Sequence, residues 1–297
     1  MGQFKNALFI VNPSSGRKTI ATLEHDITAA CQANQVEHTL AYTTGPGHAT
    51  TLAREAAQNN IDVVFAIGGD GTVNEVAKGL VNTQATMGII PKGSGNGLAR
   101  HVGISMKHKA ALSVLNTGKK ILIDTISVNG ETSVNISGIG FDGHIASLFG
   151  KSGKRGLREY VTLAATEFRK FKNFPINGII DGKTYSSEAF ILAFANSSQF
   201  GNNATISPAA SVCDGVMDIC VIKKVSLLQA LGFAGKMFTG RMHKSAFVKI
   251  IKAKSASFMF NQPMPVHVDG EGREASSTFN IEIKPSSLRV LAPSDAI

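Results

Sequence analysis

Charge, cysteine and long apolar runs are all scarce in this chain, and each scarcity removes a class of protein. Only 17% of the 297 residues are charged, which excludes a disordered acidic or basic tail. Cys31, Cys213 and Cys220 are an odd number without metal-ligand spacing. They read as buried thiols in a reducing compartment, not as a disulfide scaffold or zinc site. No apolar stretch approaches the roughly 18 residues of a membrane-spanning helix. The first residues enter a strand-like segment at 7–11 without a signal-peptide pattern. The expectation is a cytoplasmic protein with no permanent membrane anchor. Internal repeats and low-complexity tracts are also missing. At 43% hydrophobic composition the chain is long enough for two domains, each with its own core.

Acidic residues are unevenly short. Net charge is +9, and residues 1–124 hold 11 Lys/Arg against 8 Asp/Glu while residues 125–297 hold 19 against 13. Between Asp218 and Asp269 there are eight Lys/Arg and no acid. Such a surface attracts anionic partners, phospholipid headgroups or nucleic acid, although a basic face can also serve solubility alone. No nucleic-acid motif is present, so a nucleic-acid role is not expected.

Strand and helix patterns alternate over residues 1–124. Short apolar runs at 7–11, 36–42, 62–67 and 87–91 alternate with helical spacing at 20–34, 48–59 and 73–81. Fully apolar strands between amphipathic helices predict a doubly wound α/β domain with a parallel sheet covered on both faces. Ligands of such sheets sit at the carboxyl ends of the strands. After residue 125 strand-like stretches dominate, with helices near 157–171 and 226–238. Asn129-Gly130 and Asp181-Gly182 suit tight hairpins. This predicts a mainly antiparallel β-sandwich over 125–286, with 287–297 a terminal segment that returns to the first domain. No Pro/Gly/Ser linker marks the join, which predicts two domains packed around a cleft.

Glycine-rich turns follow each early strand: Asn12-Pro13-Ser14-Ser15-Gly16, Thr43-Thr44-Gly45-Pro46-Gly47, Gly68-Gly69-Asp70-Gly71-Thr72 and Gly93-Ser94-Gly95-Asn96-Gly97. Glycines let the backbone approach a phosphate, their N–H groups form anion nests, and a following helix adds its positive end. None is a Walker loop or an NAD-type fingerprint in the right place. Gly138-Ile139-Gly140-Phe141-Asp142-Gly143 fits the dinucleotide spacing but lies outside the alternating region. Asp70 inside such a turn would repel a phosphate unless a divalent cation sat between them; its plainer role is to cap the helix at 73–81.

These motifs resemble the diacylglycerol kinase catalytic-domain family, which includes bacterial lipid kinases, diacylglycerol kinases, sphingosine kinases and ceramide kinases. The resemblance rests on Gly68-Gly69-Asp70-Gly71-Thr72-Val73-Asn74-Glu75, Asn12-Pro13-x-Ser15-Gly16 and Pro91-x-Gly93-Ser94-Gly95-Asn96, and continues with Pro208-Ala209, Asp214-Gly215-x-x-Asp218 and Asp269-Gly270-Glu271. It spans nearly the whole chain, in the family's order. Gly-Gly-Asp-Gly-Thr alone is shared with NAD kinases; its combination with Asp-Gly-Glu is more specific. Two positions depart from the pattern: Gly97 stands where many members carry Asp, and the form without that Asp is more like sphingosine kinases; Gly143 stands where many carry Ala.

The resemblance implies an ATP- and Mg²⁺-dependent lipid kinase with ATP in the interdomain cleft and a hydroxyl of a membrane lipid, diacylglycerol or sphingoid, as acceptor. Asn12, Gly16, Thr43, Ile67, Gly68, Gly69, Asp70, Gly71, Thr72, Val73, Ser94, Gly95 and Asn96 would hold the nucleotide. Asp70 would work with catalytic Mg²⁺, and Glu271 with Asp269 beside it would be the general base across the cleft. Ser211, Asp214 and Val216 resemble a structural Mg²⁺ site, and Asp124 closes the first domain where members often have a carboxylate. Phosphoryl transfer needs this set: positioning, charge neutralisation and an acceptor for the hydroxyl proton. The basic stretch 223–254 would dock reversibly on the inner membrane face; a homodimer is left open. The alternatives are an NAD kinase or other soluble-substrate kinase, and a non-enzymatic nucleotide or lipid sensor.

Overall fold

The apolar early segments become parallel strands. In the computed structural model, which describes residues 3–15, 20–153 and 156–294, β1 (Asn6–Val11), β2 (Glu37–Tyr42), β3 (Val63–Gly68) and β4 (Thr86–Pro91) alternate with α1 (Ile20–Ala33), α2 (His48–Gln58) and α3 (Asp70–Leu80). Every residue of β3 and β4 is buried, as strands covered on both faces must be. The order is β2-β1-β3-β4, all parallel. Three short helices follow: α4 (Gly97–His101), α5 (His108–Leu112) and α6 (Val114–Thr117). This first unit comprises the described residues up to Ile123 and those from Ser286 onward, where Val290 runs parallel to Met87 of β4. Phe9 and Phe65 stack at 4.7 Å in its core.

The second unit runs from Asp124 to Pro285. In chain order the elements, of which the first begins and the last ends in the first unit, are β5 (Lys119–Val128), β6 (Glu131–Ser133), β7 (Ile136–Gly140), α7 (Phe141–Lys151), α8 (Leu157–Glu167), β8 (Phe174–Ile180), β9 (Lys183–Ala189), β10 (Ile191–Ala195), β11 (Met217–Ile222), α9 (Leu227–Phe238), β12 (Val248–Ala253), β13 (Ser255–Val268) and β14 (Glu271–Ala292). Strands pair antiparallel in the order β12-β11-β10-β7-β13-β14. β13 changes register between Met259 and Val266. Its first part pairs with β8 and its last with β7. A strand that switches partners at a bulge forms the corner of a sandwich. Phe194, Phe258, Phe260 and Phe279 fill the space inside.

The expected order, a doubly wound α/β domain followed by an antiparallel sandwich, is the order the chain builds. Both predicted hairpin turns have two successive positive φ angles, 49° and 87° at Asn129-Gly130 and 46° and 76° at Asp181-Gly182. That is the type I′ geometry matching the strand twist. Asp269-Gly270, between β13 and β14, has the same form at 49° and 85°. The structure adds elements the sequence reading does not contain: α4 to α7 and β9. Among the described residues no helix is long and apolar enough to cross a membrane.

Candidate functional site

Strand order reverses beside β1: β2 lies on one side, β3 and β4 on the other. The loops leaving β1 and β3 therefore diverge at a topological switch point, where α/β sheets hold ligands. Hydrogen bonds tie these turns together. Asn12 donates its backbone N–H to Ile67 O at 3.0 Å and its amide to Thr72 Oγ1 at 3.1 Å. Thr43 N–H donates to Val11 O at 2.9 Å, and Lys92 and Gly93 N–H both donate to Gly68 O, at 2.8 and 3.1 Å. Asn12, Thr43, Gly68 to Val73 and Gly93 to Asn96 are thus neighbours along one edge of the sheet, and Ser94 at its rim is exposed. Gly16 lies outside the described residues.

Two of these glycines are dictated by contact. A Cβ on Gly93 would stand 2.5 Å from Gly69 Cα, and one on Gly68 would stand 2.3 Å from Thr72 Oγ1. The second and third loops meet glycine to glycine, and the Thr72 side chain folds back over Gly68.

Asp70 is the first residue of α3, and its carboxylate reaches the next loop. Oδ2 accepts from Asn96 N–H at 2.8 Å and Oδ1 from Gly97 N–H at 2.7 Å. It therefore caps α4, not the helix it begins. Gly97, where many resembling proteins carry an acid, supplies one of the two donors. A carboxylate is also the hard oxygen donor that Mg²⁺ prefers, so the donor chemistry at Asp70 fits that ion. Asn96 sits in the left-handed region at φ 54°, and its buried Oδ1 has no hydrogen-bond partner among the described residues. Burial holds the neighbouring Lys92 amine below the ordinary lysine pKa.

Sequence reasoning missed Glu75, inside the recognised motif. Its carboxylate accepts Gly47 N–H at 2.9 Å and Ala49 N–H at 3.1 Å, fastening the Thr43–Gly47 turn to α3. A Glu one helical turn after Thr72 was the available signal.

In the second unit the Asp269-Gly270-Glu271 hairpin divides its two acids. Asp269 is 5% exposed and points inward. Its carboxylate accepts Ser133 Oγ at 2.5 Å, Val134 N–H at 2.8 Å and Asn135 N–H at 3.0 Å. Those three hydrogen bonds tie the Asp269 carboxylate to the Ser133–Asn135 segment and anchor the turn. Glu271 projects with its side chain 46% exposed, taking a hydrogen bond from Arg273 Nη2 at 3.1 Å. Behind the turn, Gly270 N–H donates to His267 Nδ1 at 3.0 Å, which leaves Nε2–H to donate to buried Asp142 at 3.1 Å. The neutral tautomer is set by that arrangement. α7, absent from the sequence reading, presses on the same hairpin. A Cβ on Gly143 would stand 2.5 Å from Pro265 O, and one on Gly272 would stand 2.7 Å from Ser147 Cα. Gly143 in place of Ala is therefore required by close helix–strand approach.

Ser211, Asp214 and Val216 lie in one turn, against Asp124 of β5. Asp214 Oδ1 accepts Val216 N–H at 3.3 Å, and Ser211 Oγ accepts Cys213 N–H at 3.3 Å. Buried Asp124 accepts Gly215 N–H at 2.7 Å. Lys252 Nζ stands 2.7 Å from Asp214 Oδ2 and 3.7 Å from Asp218 Oδ1. The hydrogen bond with Asp214 holds that ammonium above the usual lysine pKa. Lys252 thus lies against the carboxylates of both Asp214 and Asp218. Among the described residues no group of three or more His, Cys, Asp or Glu could hold a metal ion.

Comparison with known proteins follows the same division. Residues 6–128 match the model of the diacylglycerol kinase catalytic domain, and residues 135–292 that of the YegS C-terminal NAD kinase beta sandwich-like domain. A Bacillus subtilis (strain 168) protein named diacylglycerol kinase is 29% identical over 281 residues, 90% of each chain. An Escherichia fergusonii protein named "Probable lipid kinase YegS" is 30% identical over 257 residues, 84% of each. The fold is similar to that of a crystal structure titled a diacylglycerol kinase from Bacillus anthracis str. Sterne, with a TM-score of 0.81 at 23% identity over the whole of both chains.

Proposed function

The chain belongs to the kinase family built on the diacylglycerol kinase catalytic domain, and from that membership we propose that it transfers the γ-phosphate of ATP to a hydroxyl of a membrane lipid, diacylglycerol or a sphingoid alcohol. The observation that carries the reading is the set of strand-end turns stitched together around Gly68 and Asn12 at the switch point. The turns Gly68 to Val73 and Ser94 to Asn96 would hold the phosphates, with the positive end of α3 behind them, while Val73 and Asn96 keep their own N–H groups on Gly69 O and Asp70. Asn12 and Thr43 would line the same pocket. Asp70 would hold a magnesium ion, which neutralises charge on the transferring phosphoryl group. Glu271 would accept the proton of the lipid hydroxyl, as a projecting carboxylate can. Asp269 would fix the turn that aims it. No step is assigned to Ser211, Asp214 and Val216, where Lys252 stands.

The test is incubation with labelled ATP, Mg²⁺ and a total lipid extract, followed by identification of the labelled product. A labelled phospholipid supports the reading. ADP release with NAD and none with lipid would replace it with a soluble-substrate kinase. Nucleotide binding without transfer to any acceptor would leave a sensor.

A further inference from the structure

The excursion between β11 and β12 carries a helix with two apolar faces. Lys223 N–H donates to Phe247 O at 2.9 Å, so the segments entering and leaving the excursion lie side by side. α9 docks through Phe233 and Met237, which pack with Ala193, Ile206, Cys220 and Met242. Its outward face is Leu227, Leu228, Leu231 and Phe238, exposed by 54%, 97%, 85% and 48%, with Gly232 and Gly235 between them. A helix already docked on one side should turn polar residues to water. Here Gln229 and Lys236 occupy only an edge, and no residue of α9 is buried. Contiguous apolar surface of this kind marks an interaction site.

Charge identifies the occupant. Lys223 precedes the helix and Arg241, Lys244 and Lys249 follow it, all exposed, within the acid-free stretch between Asp218 and Asp269. Leucines on one face with cations gathered at both ends is the make-up of helices that lie in a membrane interface, apolar side among acyl chains and cations at anionic headgroups. We propose that α9 is an interfacial helix whose Leu227–Leu228–Leu231–Phe238 face enters the outer layer of a bilayer rich in anionic lipid. The proposal deepens the lipid-kinase reading and rests on it for its purpose: a kinase docked this way meets its acceptor in the plane of the membrane.

The chain contains no tryptophan, so Leu228→Trp installs a single fluorescent reporter. With phosphatidylcholine–phosphatidylglycerol vesicles its emission should shift to the blue and be quenched by bromine-labelled acyl chains; high salt should weaken both effects. Leu228→Glu/Leu231→Glu should lower vesicle co-sedimentation by about tenfold or more, yet retain activity on a water-soluble short-chain diacylglycerol. Unreduced sedimentation of that double variant would overturn the proposal, and so would unshifted emission from the Leu228→Trp variant when it sediments with vesicles. Native dimers that become monomers in the double variant, with vesicle binding unchanged, would assign the face to a second copy instead. Absence of lipid phosphorylation in every form would defeat the kinase reading alone, because vesicle binding is read without turnover.

Discussion

Replacing Asp269 by Asn separates the anchoring of the candidate catalytic turn from its chemistry. Asn is as much at home as Asp at the positive-φ first position of a type I′ turn, so the backbone preference is kept. What changes is the inward carboxylate. With the amide oxygen at the Oδ1 position, Ser133 Oγ and Asn135 N–H still find an acceptor, now a neutral one. Val134 N–H, formerly bonded at 2.8 Å, faces an NH₂ group. A buried donor left unpaired costs about 1–3 kcal/mol, and losing charge from two further bonds costs on the order of 1 kcal/mol each. A total of about 3–5 kcal/mol lowers the melting temperature of a unit of this size by roughly 6–20 °C. Because the turn also carries Glu271, kcat on lipid should fall by about tenfold or more while KM for ATP stays unchanged. Calorimetry paired with an ADP-release assay reads both. A variant that melts like the native protein but has no turnover would refute the reasoning, since Asp269 would then act in the reaction itself. One that melts early with normal kcat would show that the turn need not be held for catalysis.

Glu271→Gln should abolish turnover and leave the unfolding free energy within about 1 kcal/mol of native, because only an exposed pair with Arg273 is lost; retained turnover would remove Glu271 as the base. Gly93→Ala drives a methyl into Gly69 Cα and should destabilise by about 1–3 kcal/mol. Gly69→Ala meets Gly93 Cα at 3.4 Å and should fold normally, with any effect confined to nucleotide affinity; equal melting of the two variants would contradict that glycine contact. Burial lowers the His101 pKa below 6.5, so the unfolded chain binds the proton more tightly. The contribution of His101 to stability is full above pH 6.5 and is lost as pH falls through the lowered folded value. Thermal melts from neutral to mildly acidic pH should show a shallower loss in His101→Gln than in the native chain.

Legibility in the sequence followed the range of the interaction involved. β1 to β4 and α1 to α3 were readable because burial imposes a period on neighbouring residues. The two Asn-Gly and Asp-Gly hairpins were readable because φ preference is local. α7 was not: Phe141–Lys151 contains Gly143 and Gly150 and begins directly after a strand. Gly143 reads as a helix breaker until the backbone of β13 is seen against it. The helices α4 to α6, of four or five residues each, are too short for a periodic signal, and α4 is capped by Asp70, 27 residues before Gly97. At the hairpin the sequence shows two acids flanking a glycine. Only Ser133, Val134 and Asn135, about 135 positions away in the chain, distinguish the inward acid from the outward one.

Glu75 has an electrical consequence for the first unit. By taking the amides of Gly47 and Ala49 it places the protein's own anion on the positive pole of α2. A bound nucleotide would therefore meet one compensated helix and one, α3, whose opening turn carries only Asp70. If a metal is held at Asp70 as proposed, selectivity among nucleotides and phosphate mimics would depend on it more than on the second strand's turn. Removing Glu75 would uncover an anion-attracting pole where the native fold presents none.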